Sequence, residues 1–372
     1  MRLLITAPWG ERLGGAEEML QMAIEGASAA GHEVEIVFFE PGPWPDELRR
    51  SGVHVEVLSA GRLREPWRVL ATIARLARIL RRRRPDLMLN WMTKTHLYGA
   101  PAAILAGMRA RVLWWQHGIP TRRDWLDRGV SLLPSLVVGC SSQTSARAQA
   151  ALFPHRRTFV VNPGARVPAS QRDAVPLQLP AETTVVGLVG RLQPWKGQDR
   201  LLRAQAILRA RGQEIHTLIV GGDAYGLSSA YADSLPALIA GLGLAAAVTM
   251  TGQVPDAGPY IEQMDILVNA SDPEPFGIVL LEGMARGVAV VAVDSGGPQE
   301  FITDRKTGVL ARSGEPEALA DALEVLLDSP ELCRSIGQAA RARFMAEYTE
   351  AAMCRRLYRE LEGLLDPAAA ER

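Results

Sequence analysis

Five side chains of this sequence are of the types that hold a hydroxyl-rich, negatively charged molecule: Glu274 and Glu282, Arg191 and Lys196, and His117. A carboxylate only accepts hydrogen bonds, and its two oxygens suit a vicinal diol. Two carboxylates near one helix start could therefore hold two diols, for instance those of a sugar and a ribose. Arg191 and Lys196 lie close together in V-G-R-L-Q-P-W-K-G, Val189 to Gly197. An arginine fork and a lysine point charge suit a diphosphate. Each feature also has a plain structural reading: a capped surface helix with two solvated acids, two solvated loop charges, and a histidine that merely packs.

The elements around them decide between these readings. The apolar run Ile266 to Asn269 reads as a strand leading into Glu274, and Phe276 to Arg286 as a helix, with Ile278, Leu281 and Ala285 at helical spacing. A second strand, Val288 to Val293, opens into Gly296-Gly297-Pro298. The backbone N–H groups around Pro275 to Gly277 would face an anion at the helix start. Both turns leave the carboxyl ends of parallel strands, where open α/β sheets bind ligands. Near the start, G-E-R-L-G-G-A-E-E places Gly14 and Gly15 between a strand and a helix, allowing close backbone approach. This is neither G-x-G-x-x-G nor a P-loop, which weakens nicotinamide and kinase readings. His117 ends a strand in W-W-Q-H-G, and Lys94 and His96 end another in W-M-T-K-T-H. With Trp91, Trp114 and Trp125 these are candidates to line an acceptor pocket, although tryptophan is more often core.

At 372 residues the chain is too long for one ordinary core, and two domains are expected. Strand and helix patterns alternate twice, separated by a Pro-rich, aperiodic stretch, which implies parallel sheets covered on both faces. The expected division is a first Rossmann-like domain over 1–165, a linker over 166–184, a second Rossmann-like domain over 185–347 and a C-terminal helix over 348–372 packing back toward the first. Two such halves imply a cleft, the usual place for a ligand. Net charge is zero, yet up to Gly164 there are 22 basic and 14 acidic residues, and the remainder is correspondingly acidic. Cys140, Cys333 and Cys354 are odd in number and widely spaced, which suggests neither a disulfide framework nor a zinc site. No metal motif stands in a suitable place. The first residues already read as a strand, so no signal peptide is expected, and no run is long enough to span a bilayer. Arg75, Arg78 and Arg81 to Arg84 follow the apolar face Leu70, Ile73, Leu76 and Leu80. That helix is expected to pack on the sheet with its arginines in water, the alternative being an anionic membrane surface.

Taken together, G-G-A-E, Q-H-G, N-P-G, G-R-L-x-x-x-K-G, the paired glutamates, G-G-P-x-E and T-G-V-L resemble, in order and placement, the retaining glycosyltransferases of family GT4. The resemblance spans almost the whole chain. It implies an α/β fold of two Rossmann-like domains facing across a cleft (GT-B) and transfer of a sugar from a nucleotide diphosphate sugar to a hydroxyl acceptor. It implies that His117, Arg191, Lys196 and Glu274 serve the reaction. Gly14, Gly15, Gly190, Phe276, Gly277, Ile278 and Glu282 would bind the donor, with Glu282 on the ribose diol and the backbone of Phe276 and Gly277 on the sugar. Lys94, His96 and Trp91 would face the acceptor, and Gly296, Gly297 and Glu300 would form a supporting loop. No cofactor or metal is implied; the nucleotide sugar is the substrate, UDP-sugar favoured over GDP-mannose. Val189 stands where the family often has glycine, and N-P-G where N-G is commoner. The expected setting is cytoplasmic, with peripheral contact to anionic membrane through the basic first half and no nucleic acid partner. Rival readings are a nucleotide-sugar epimerase or a phosphorylase on the same fold, or a nucleotide-sugar binding protein without activity.

Overall fold

A computed structural model describes residues 1–12, 14–60, 64–121, 123–168, 177, 179, 183–223, 226 and 228–366. The chain divides into two compact units, Met1–Pro163 with Glu350–Arg372, and Gly164–Thr349. Most of the expected linker, 166–184, lies outside the described residues.

The first unit is a seven-stranded parallel sheet of β1 (Arg2–Ala7), β2 (Glu33–Phe38), β3 (His54–Val57), β4 (Leu87–Asn90), β5 (Val112–Gln116), β6 (Val138–Cys140) and β7 (Thr158–Val160), in the order β3-β2-β1-β4-β5-β6-β7. Successive side chains point to opposite faces, so each strand feeds two cores. Leu3, Leu87 and Leu113 pack under α1 (Gly15–Ala29) and α13 (Glu350–Gly363), while Leu4, Met88 and Val112 pack under α3 (Pro66–Arg83) and α4 (Thr93–Leu105). On that second face α5 (Trp125–Leu132) and α6 (Gln143–Ala150) cover Trp114, Val138 and Cys140. The remaining helix of this unit, α2 (Pro43–Arg50), starts on a proline and buries Trp44 and Leu48 against the first face. The sequence pattern did not anticipate it.

The C-terminal helix is fixed to α1 by close contact. Cys354 Sγ reaches the Met22 carbonyl at 3.3 Å, and the Tyr358 hydroxyl donates to the Ala23 carbonyl. A Cβ on Gly26 would stand 2.6 Å from Cys354 Sγ, so only glycine permits this approach.

The second unit repeats the plan. Its strands are β8 (Thr184–Val189), β9 (Ile215–Val220), β10 (Val248–Met250), β11 (Ile266–Asn269), β12 (Ala289–Val293) and β13 (Val309–Ala311), all parallel, in the order β10-β9-β8-β11-β12-β13. α7 (Gln198–Ala210), α8 (Ser229–Gly241), α9 (Gly258–Ile261), α10 (Ile278–Arg286), α11 (Pro316–Leu327) and α12 (Pro330–Glu347) clothe it. In each sheet the chain starts in the middle, winds one way, then crosses over. The switch points fall between β1 and β4 and between β8 and β11, where the loops diverge and leave a crevice.

A buried polar knot pins the first switch point. Thr6 Oγ1 donates to Asn90 Oδ1 at 2.8 Å, and Asn90 Nδ2 donates to the Leu113 carbonyl at 3.2 Å and to His96 Nδ1 at 3.1 Å. Since His96 Nδ1 accepts, its proton sits on Nε2, which has no acceptor among the described residues. Burial pushes its pKa down to about 3, with nearby Arg156 acting the same way. His96 is fully enclosed and stacks on Trp114 at 5.5 Å; Trp114 is 0% and Trp91 1% exposed. This corrects the expected acceptor pocket: Trp91, His96 and Trp114 are core, placed there by the strand and helix that carry them.

Three outcomes are expected. A Cβ on Gly99 would fall 1.9 Å from Asn90 Oδ1, so Gly99→Ala must break the knot. It should cost about 2 kcal/mol or more in urea unfolding. Gly129→Ala, in α5 where an added Cβ meets nothing, should be neutral or mildly stabilising. For His96 the unfolded chain binds a proton below about pH 6.5, whereas the folded chain does so only near 3. Its contribution is complete above the unfolded pKa and is lost as pH falls toward 3. His96→Gln should therefore show a shallower fall of unfolding midpoint between pH 7 and 4.5 than the parent.

Candidate functional site

The carboxyl ends of β8 and β11 bring together residues far apart in sequence. Val186 and Gly187 pair with Ile266 and Leu267, so the loops after the two strands leave side by side. The first turns at Gly190 and carries Arg191 and Lys196; the second carries Glu274. Lys196 Nζ lies 2.9 Å from Glu274 Oε2. Asn269 Nδ2 donates to the same oxygen at 3.1 Å, and its own Oδ1 accepts the Ser271 N–H at 2.9 Å. Lys196 and Asn269 thus converge on Oε2, and the Ser271 hydroxyl beside the carboxylate also helps to hold its pKa down.

Glu274 is 6% exposed. Burial alone would raise its pKa, but the Lys196 charge and the hydrogen bonds from Lys196 and Asn269 outweigh it and hold the carboxyl below its ordinary value. Lys196 is fixed from a second side, its ammonium 4.0 Å from the centre of the Trp195 ring. Trp195 is itself tethered by Nε1 to Gln193 Oε1 at 2.9 Å. Arg191 is half-buried and its guanidinium has no partner among the described residues, while its carbonyl accepts from Gln198 Nε2 at 2.9 Å.

The backbone around Glu274 is locked by two glycines. The Gly297 N–H donates to the Glu274 carbonyl at 2.8 Å, and Cβ atoms on Gly296 and Gly297 would fall 2.1 Å from that oxygen and 2.3 Å from Phe276 Cα. Gly296 also has φ 82°, a region that disfavours other residues. Phe276 turns its ring inward onto Phe301 at 4.9 Å, so only its backbone faces outward. Gly277, at φ 97°, is the cap of α10, which therefore starts at Ile278 rather than Phe276. No side chain caps this end, and the N–H groups of Gly277, Ile278 and Val279 find no acceptor among the described residues. Glu282 follows one turn along α10, half-buried. The result is a set of two carboxylates, two cations and an uncapped helix start at the ends of two adjacent strands.

In the first unit the corresponding strand ends carry Gly14, Gly15 and His117. Gly14 caps α1 without a side-chain bond, and Trp91 Nε1 donates to the Ala16 carbonyl at 2.9 Å, fixing that helix start beside β4. Glu17, in the first turn, accepts from Trp9 Nε1 at 2.9 Å. His117 Nε2 donates to the Trp91 carbonyl at 2.9 Å. Part of the residue is exposed, yet its ring lies among enough protein atoms that burial pushes the pKa down to about 4, against the opposing carbonyl bond. The imidazole is neutral near pH 7, with its proton on Nε2 and a lone pair on Nδ1. Lys94 is half-buried and paired with Glu40 at 2.6 Å. Asn269 and Trp195, which orient the glutamate and the lysine, were not singled out from the sequence. An asparagine ending an apolar strand and a tryptophan beside the lysine were the available signals.

Among the described residues no three His, Cys, Asp or Glu side chains gather where they could share a metal ion.

The chain matches the family model "Glycosyl transferase 4-like domain" over residues 14–164 and "Glycosyl transferases group 1" over residues 170–343. It is 34% identical over 233 residues to a D-inositol 3-phosphate glycosyltransferase of Thermobispora bispora, covering 56% of this chain and 54% of that one. It is 38% identical over 200 residues to the protein of that name from Rhodococcus opacus, covering 51% and 44%. The chain thus spans about half the length of the curated relatives it matches. Among solved structures, Anabaena HepE in complex with UDP-glucose superposes with a TM-score of 0.82 at 24% identity, over 98% of this chain and 100% of that one. Sucrose-phosphate synthase of Thermosynechococcus elongatus gives 0.78 at 21%, over 97% and 99%. These two likenesses show the two-domain α/β GT-B fold, and the two family models, which together span most of the chain, show that it belongs to the GT4 glycosyltransferases.

Proposed function

We propose that this protein is a metal-independent retaining glycosyltransferase. It takes a sugar from a nucleotide diphosphate sugar, UDP-sugar before GDP-mannose, to a hydroxyl of a glycan, a lipid-linked sugar or a small molecule. The observation that carries the reading is the pair of half-buried Lys196 and buried Glu274 beside the uncapped start of α10, with the Arg191 guanidinium unpaired among the described residues on the same loop. HepE was solved with UDP-glucose, which supports a UDP-sugar donor. The name of the curated relatives makes D-inositol 3-phosphate the first acceptor to assay.

In this reading the diphosphate lies against the free N–H groups of α10, Lys196 and Arg191. Glu274 Oε1 and His117 Nδ1, both acceptors, take hydrogen bonds from sugar hydroxyls. Glu282 accepts from the ribose diol, Gly14, Gly15 and Gly190 let backbone come close, and Lys94 serves the acceptor side. The anomeric carbon–phosphate oxygen bond breaks as negative charge grows on the leaving diphosphate, where fixed cations and N–H dipoles lower the barrier. The acceptor oxygen bonds to the same face of the sugar, and its proton passes to the departing phosphate oxygen. No side-chain base is required.

Lys196→Ala and Arg191→Ala should each lower kcat by roughly 100-fold, about 3 kcal/mol. Near-parental rates in both would remove the phosphate clamp. An unchanged rate in excess EDTA supports metal independence, and loss restored by a divalent cation contradicts it. Trp195→Leu should lower kcat several-fold by loosening Lys196, and Trp195→Phe should restore most of it; equal losses in both would assign Trp195 to packing alone. Conversion of the donor without an acceptor would favour an epimerase, and a requirement for phosphate a phosphorylase.

A further inference from the structure

The loop that carries Arg191 and Lys196 is tied at its base. The Gly190 N–H donates to the Val220 carbonyl at 2.9 Å and the Leu192 N–H to the Gly222 carbonyl at 3.0 Å, so both neighbours of Arg191 are fixed to the end of β9. A Cβ on Gly221 would fall 2.1 Å from the Gly190 carbonyl oxygen, so these two strand ends meet backbone to backbone. The Arg191 carbonyl accepts from Gln198 Nε2 at 2.9 Å. Gln198 is the first residue of α7 and is 0% exposed. One side chain thus closes the stretch 191–198, and its ends cannot part without stranding a buried donor.

Gln198 is held in turn. Its Oε1 lies 3.2 Å from the hydroxyl of half-buried Tyr231 on α8. That hydroxyl lies 2.7 Å from Asp199 Oδ1 and accepts the Asp199 N–H at 3.1 Å. One phenolic proton therefore serves two acceptors, an amide oxygen and a carboxylate. Burial, together with the Asp199 carboxylate, pushes the phenol pKa up and keeps that proton in place. The Tyr231 ring packs on the small core that holds Leu192, the residue after Arg191. On the other side Gly197, at φ 75°, would bring a Cβ 2.6 Å from the Ala270 carbonyl oxygen, so the start of α7 is pressed onto the loop after β11. Lys196 has anchors of its own in Glu274 and the Trp195 ring. The Arg191 side chain has none among the described residues, so the hold on its backbone is what aims it.

We infer that Gln198 and Tyr231 are positioning residues for Arg191: the amide bridge from α7, anchored by the phenol of α8, sets the direction from which the guanidinium meets the diphosphate. Gln198 is enclosed and acts only through its bond to the Arg191 carbonyl. A displacement of about 1 Å at a charged contact can cost up to about 100-fold in rate, which is why a tether outside the contact matters. The use made of Arg191 rests on the glycosyl-transfer reading; the hold on its backbone does not.

The test compares the full chain with Gln198→Met, which keeps the volume and removes the donor, and Tyr231→Phe, which removes only the hydroxyl, each alone and combined with Arg191→Ala. Without ligand, hydrogen–deuterium exchange over residues 189–197 should quicken roughly fivefold in Gln198→Met and less in Tyr231→Phe, with the rest of the second unit unchanged. With UDP-glucose and no acceptor, kcat for UDP release should fall about tenfold in Gln198→Met and about threefold in Tyr231→Phe, at nearly constant KM. Neither substitution should lower kcat by more than about twofold once Arg191 is alanine. Unchanged exchange over 189–197 overturns the inference. So does an equal loss of kcat with and without Arg191, or no loss in Gln198→Met where Arg191→Ala shows one. Should Gln198→Met fail to fold, Tyr231→Phe carries both readings. A parental rate in Arg191→Ala with quickened exchange would remove the phosphate clamp and leave the tether standing.

Discussion

An ion pair between a buried glutamate and a half-buried lysine is the constraint on which the second unit's crevice depends. Taking a lysine and a glutamate out of water is costly, and the attraction between them offsets that cost only with good geometry and further hydrogen bonds. Here Asn269 supplies a second donor to the carboxylate and the Trp195 ring a second contact for the ammonium. The backbone carrying Glu274 cannot drift, because Gly296 and Gly297 lie against it where any Cβ would collide. An apolar pair of similar volume would satisfy packing as well or better. Retention of charge at this point is understandable as preparation for a polar ligand.

The same logic recurs with different residues at the first unit's switch point. There the buried polar group is neutral: Asn90 ties Thr6, the Leu113 carbonyl and His96 into one cluster across three strands. Trp91, the next residue, uses its ring N–H to hold the start of α1 and its carbonyl to orient His117. One strand end therefore fixes both a helix terminus and an imidazole, and the proton position on His117 follows from that carbonyl. Both switch points present hydrogen-bond acceptors and uncapped helix starts, the groups that hydroxyls and phosphates require.

The fold was legible because parallel strands buried on both faces read as apolar runs, and glycines and prolines punctuate them. Part of the second crevice was legible too, since Arg191 and Lys196 fall in the loop after β8 and Glu274 in the loop after β11. What was not legible depends on distance across the fold. Nothing local marks Trp91 and His96 as core. Their enclosure comes from β5 and from helices that only the folded chain brings near, so a strand-end position was mistaken for exposure. The helix α2 was missed because its first residues, Pro43-Trp44-Pro45, resemble a loop, although a proline at a helix start costs nothing. Asn269 was passed over because its role, joining Ser271 to Glu274, appears only when the turn closes.

The central claim is that the crevice at the ends of β8 and β11 holds the diphosphate and the sugar together. Hydrogen–deuterium exchange with and without UDP-glucose tests it most directly. The account predicts slowed exchange in the second unit confined to residues 190–198 and 269–283, strongest at the start of α10. Protection elsewhere in that unit with these segments unchanged, or no protection at saturating nucleotide sugar, would contradict it.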